Sequence, residues 1–64
     1  MKAGDIVSVY EDPITQTRLE GRAVLVNKVR DEMENIGGHY RIERWDVRFE
    51  GEDETYEREI LLEI

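Results

Sequence analysis

Cysteine is missing from this 64-residue chain, proline and histidine each occur once, and only five residues are aromatic. Without cysteine there is neither a disulfide framework nor a thiolate zinc site to stabilise a small fold, and a reducing compartment such as the cytoplasm is compatible. With His39 as the single imidazole, a Ser-His-Asp or Cys-His arrangement has at most one base and no thiol. No apolar run approaches the ~20 residues of a membrane span. The N-terminal "MKAGDIVSVYEDP" has no apolar core of the kind a signal peptide needs, so none is expected. Gly37-Gly38 lacks the following Lys-Ser/Thr of a phosphate-cradling loop, and "EGEDE" (50–54) has the wrong order for a calcium loop. The expectation is a soluble cytoplasmic protein with no catalysis, no cofactor and no metal.

What the chain has is acid. Nine Lys/Arg face sixteen Asp/Glu, for a net charge of −7. Residues 1–30 carry five basic against four acidic side chains, and residues 31–64 carry four against twelve. Such a surface repels nucleic acid and anionic lipid at long range. Sixty-four residues form a single domain (1–64), which buries only about 60% of the surface its unfolded chain exposes and is stable by a narrow margin.

Period-2 alternation dominates the pattern. "DIVSVY" (5–10) sets Val7 and Val9 against Ser8, and "RAVLVNKVR" (22–30) is β-branched and apolar. Between them "EDPITQTRLEG" (11–21) reads as a loop of roughly ten residues. "DEMENIGGH" (31–39) is the next connection, with Gly37-Gly38 supplying a tight turn. "YRIERWDVRFE" (40–50) is a long strand whose apolar parity changes midway, from Tyr40 and Ile42 to Trp45, Val47 and Phe49. A β-bulge or sharp bend near Glu43-Arg44 would keep both sets facing inward. Gly51–Asp53 forms a hairpin tip, and "TYEREILLEI" (55–64) is a last strand, entered through a single 3₁₀ turn. Helix is the runner-up for "RDEMENI" (30–36) and "YEREILLEI" (56–64), but nine residues fall below the ~12–15 at which isolated helices become marginal. The expected core is Val7, Val9, Ala23, Leu25, Val29, Ile42, Trp45, Val47, Phe49 and Ile60. Four or five short strands in so small a chain predict an all-β fold, a single small barrel of about five strands.

"GDIVSVY" (4–10), a long loop and then "EGRAVLV" (20–26) resemble the opening of SH3-like barrels of the KOW and Tudor kind, in which a Gly-Asp-x-Val-x-Val strand leads through a glycine to a second strand. The chain is also similar to small barrel proteins of bacteria and their phages. The resemblance implies a fold and no activity. Two features depart from it: RNA-binding KOW modules are usually basic, and a Tudor-type cage needs several aromatics converging at one rim.

Within that frame Tyr10 and Tyr40 are the candidate groove aromatics, because Tyr10 falls opposite Val7 and Val9, beside the first loop where SH3-like modules often bind peptides. Trp45 has core parity. Ile36 is an apolar side chain without a core role. Glu52, Asp53 and Glu54 are the candidate acidic binding surface, although polar residues at a hairpin tip need no ligand to explain them. Arg41, Arg44, Arg48 and Arg58 are expected to pair with Glu57, Glu59 and their neighbours across strands. The functional expectation is a small non-catalytic binding or adaptor module that contacts protein. The alternative is an acidic nucleic-acid mimic that blocks a DNA- or RNA-binding protein; direct nucleic-acid binding through the arginines ranks below both.

Overall fold

A computed structural model describes residues 2–63, so the expected strand residue Ile64 lies outside the described residues. The chain is all-β: strands β1 (Ile6–Asp12), β2 (Thr17–Ile36), β3 (Tyr40–Phe49) and β4 (Tyr56–Glu63) form one antiparallel sheet in the order β1-β2-β3-β4. There are four strands among the described residues, not five, and β1 and β4 remain unpaired edges. No helix forms among the described residues, so both helical alternatives are set aside there, and residues 52–55 enter β4 without a 3₁₀ turn.

The expected ten-residue first loop is a tight turn. Asp12 pairs with Thr17, and its carboxylate Oδ1 accepts from the backbone N–H groups of Ile14 (3.1 Å) and Thr15 (3.3 Å). This Asx turn, with Pro13 fixing φ after it, reverses the chain in four residues. The expected connection 31–39 is likewise mostly strand, and only residues 37–39 turn. Gly37 and Gly38 there adopt φ of 60° and 78°, as a tight turn requires.

At ~3.3 Å per residue, the 20 residues of β2 would span roughly 65 Å if straight. The molecule's longest dimension is 35 Å, so β2 must bend. Register shifts between Leu25 and Asn27, Lys28 and Arg30, and Asp31 and Met33 provide the bending, each leaving an extra residue on β2. The bulging therefore lies on β2 and not at Glu43-Arg44 of β3, where the parity change places it. β3 is in unbroken register with β4 from Tyr40↔Glu63 to Val47↔Tyr56. Its two apolar sets therefore serve opposite faces. Trp45, Val47 and Phe49 join the main core, while Ile42, paired with Met33 and Leu61, is buried outside that cluster. Val29 is one of the unpaired bulge residues, and at 39% exposure it is not core.

The curled sheet brings its ends together. Val9 of β1 and Ile60 and Leu62 of β4 share one core with Ala23, Leu25, Trp45, Val47 and Phe49, with Val7 and Tyr56 packed against it. Arg58 of β4 reaches Glu20 of β2 through two contacts, Nε to Oε1 at 2.9 Å and Nη2 to Oε2 at 3.1 Å. Those strands are not neighbours in the sheet, so the ion pair ties the curl across its open side. Two positions escape sequence reasoning: Leu62 is core, and Glu43, a carboxylate, is only 3% exposed.

Candidate functional site

The open side of the curl holds three adjoining hollows. The first, about 350 Å³, lies between Tyr10 and Pro13 on one wall and Glu57, Arg58 and Glu59 on the other. The second, about 260 Å³, shares Tyr10, Pro13 and Glu59 with it and adds Val7, Ile60 and Leu61. The third, about 480 Å³, shares Gln16 and Leu61 with the second and is lined further by Ile14, Ile36, Tyr40 and Glu63. Together they form a trough along β4.

Consecutive residues from Glu57 to Leu61 border this trough. Side chains alternate between the two faces of a strand, so a hollow touched by every residue in turn borders the strand's edge, not one face. The opposite wall comes from β1 and the β1–β2 turn. It stands there because the Asp12 turn folds Pro13, Ile14 and Gln16 back as a unit. Glu20 arrives by a separate device. The register slips between Val9↔Gly21 and Tyr10↔Leu19, leaving Glu20 as the extra residue. Gly21 has φ of 151° and lies under the Phe49 ring, which a Cβ there would meet at 3.5 Å.

Tyr10 and Tyr40 thus occupy different hollows of one trough, Tyr10 in the first two and Tyr40 in the third. Glu52, Asp53 and Glu54 are exposed in the β3–β4 connection, outside it. They are not featureless, however. The Tyr56 hydroxyl lies 3.3 Å from both Glu52 Oε1 and Glu54 Oε2. The charges of Glu52 and then Glu54 raise the phenol above its ordinary pKa. Tyr56 packs on Phe49 with ring centroids 6.0 Å apart, and the Arg58 guanidinium covers both rings. His39 is exposed in the 37–39 turn.

The arginines other than Arg48 are committed to acids. Arg44 pairs with Glu32 and Glu59, Arg41 with Glu43, and Arg58 with Glu20. The Arg44 guanidinium, by hydrogen bonding, holds the Glu32 carboxyl below the usual carboxylate range. Arg48 is exposed and makes no ion pair among the described residues. No group of three or more His, Asp or Glu side chains able to hold a metal ion occurs among the described residues, nor does any helix long and apolar enough to cross a membrane.

Compared with protein-family models, with curated proteins and with solved structures, the chain matches none. Function must therefore be argued from the trough. Its residues Ile14, Gln16 and Leu61 carry no sequence signal, because only the curl brings 13–16 beside 57–63. The one hint is Ile36, an apolar side chain in a polar segment with no core to join; it lines the third hollow.

Proposed function

We propose that this chain is a non-catalytic protein-binding module of the SH3-like kind, taking a short peptide segment of its partner along the β4 trough. One observation carries the reading: two exposed or half-exposed tyrosines and a set of surface aliphatics line connected hollows instead of being scattered. Concave apolar sites with a few polar groups are the usual form of a ligand site, and aromatic side chains are the usual anchors of an interface. The SH3-like assignment rests on the order of the strands, the curl and the Gly-Asp-x-Val-x-Val opening. A phage-displayed random-peptide library tests it. The wild-type chain should retain a set of peptides that the folded Tyr10→Ala and Tyr40→Ala variants release. Retention of the same peptides by the double variant would overturn the reading.

The acidic-mimic reading retains one supporting observation. Arg18, Arg22, Lys28, Arg30, Arg41, Arg44 and Arg58 are all engaged by carboxylates of this chain. Glu52, Asp53 and Glu54 face solvent without a cation partner among the described residues. A mimic binds a basic partner through those acids and loses it steeply with salt, whereas a peptide held in the trough depends on Tyr10 and Tyr40.

A further inference from the structure

We propose that the occupant of the trough is an extended, basic segment of a partner protein that pairs with β4 as a fifth strand of the sheet. The inference rests on the peptide-binding reading above and adds the mode of binding and the chemistry of the segment. β4 pairs with β3 on one side only. In an antiparallel strand each residue points its N–H and C=O to the same side, alternating along the chain. Every second residue of Tyr56–Glu63 therefore offers both groups to the free edge, which is where the trough runs. A strand-like peptide satisfies those groups by main-chain hydrogen bonds, and its alternate side chains enter flanking hollows.

The hollows define the side chains. Val7, Ile60 and Leu61 supply apolar walls in the second, and Ile14, Ile36 and Tyr40 do so in the third. Glu57 at one end and Glu63 at the other have no cation partner among the described residues. An alternating apolar and Lys/Arg segment matches both features. A second copy of this chain does not. Pairing β4 with β4 would oppose Glu57, Glu59 and Glu63 with like charges, which is destabilising across strands, and each copy brings a net charge of −7.

The probe is an acetylated, amidated octapeptide of alternating Lys and Val, compared with the same peptide N-methylated at every residue. Binding is followed by heteronuclear NMR, together with amide hydrogen exchange of the full chain. The unmodified peptide should bind and slow exchange at alternate amides of β4; the N-methylated peptide, with the same side chains and charge, should lose binding. Equal binding of both peptides, without protection of β4, would overturn strand addition while leaving peptide binding in place. No binding at millimolar peptide overturns the basic-strand proposal, though the library experiment can still succeed. Protection of β4 that appears with protein concentration alone would assign the edge to a second copy instead.

Discussion

Glu43 is the residue whose position most needs a reason. A carboxylate taken out of water costs several kcal/mol unless partners replace its hydration. Here Trp45 Nε1 donates to Oε1 at 2.9 Å, while Lys28 Nζ and Arg41 Nε approach Oε2 at 3.4 and 2.9 Å. The Arg41 contact is Coulombic, since its N–H has no aligned acceptor. Lys28 is shared with Asp31, whose hydrogen bond leads the causes raising the lysine above its ordinary pKa. Replacing Glu43 with Ala strands the indole N–H and loosens two cations, so a loss of about 3–5 kcal/mol is expected. Glu43→Gln keeps an acceptor for the indole and should lose less. Urea midpoints at unchanged slope measure both, and equal losses would mean that the indole bond contributes nothing. Tyr56 gives a second prediction, on pH. Its folded pKa lies above its unfolded one, so its contribution is intact below roughly pH 10 and is lost as pH rises through the raised folded value. Glu52→Gln with Glu54→Gln should lower the phenol's pKa toward the ordinary value and move the alkaline unfolding limb upward. A tyrosinate absorbance titration that does not move would remove the acids as the cause.

At the scale of elements, β2 is where sequence and structure part. Trp45, Val47 and Phe49, like Val7 and Val9, alternate cleanly because one face meets the core and the other meets water, and that contrast is what period 2 records. Residues 11, 12, 17–20 and 33–35 are strand residues with no buried position among them, so no contrast exists and they read as loop. The bulges leave no compositional mark either: Val26 and Val29 look like any strand valines. Tyr10, Tyr40 and Ile36 could be marked as surface candidates one by one, but their common trough follows from the curl, which is a property of register. Gly21 offers a test of that register. At φ 151° its backbone suits glycine, while the Phe49 ring at 3.5 Å leaves ordinary contact for a methyl group. Gly21→Ala should therefore cost about 1–3 kcal/mol through the backbone. Combining it with Phe49→Leu should show near-zero coupling in a double-mutant cycle. A strong coupling would mean that ring contact, not φ, sets the cost.

For the whole molecule, the question is what sixteen acids do to a fold 35 Å long. At 0.01 M salt the screening length is about 30 Å, nearly the full length of the protein, and at 0.15 M it is about 8 Å. Charges that ignore one another at physiological salt thus all interact in dilute buffer. The repulsion has identifiable sites: Asp46 and Glu57 stand directly opposite across β3 and β4, and Glu52, Asp53 and Glu54 crowd the exposed connection before Tyr56. The favourable pairs are mostly at the surface, where each is worth roughly 0–1 kcal/mol. Among the described residues the tip acids have no such pair; Glu52 and Glu54 accept from the Tyr56 hydroxyl, a hydrogen bond that a neutral amide oxygen can also accept. Changing Glu52 and Glu54 to Gln and Asp53 to Asn together should leave the fold as stable, or slightly more stable, in dilute buffer. The difference from wild type should shrink as salt is added, because screening relieves the same repulsion that the substitutions remove. Thermal unfolding across a salt series measures it. Unfolding of the triple variant would show that these carboxylates hold the β3–β4 connection through their charge, and the acidic tip would then be a structural element in its own right.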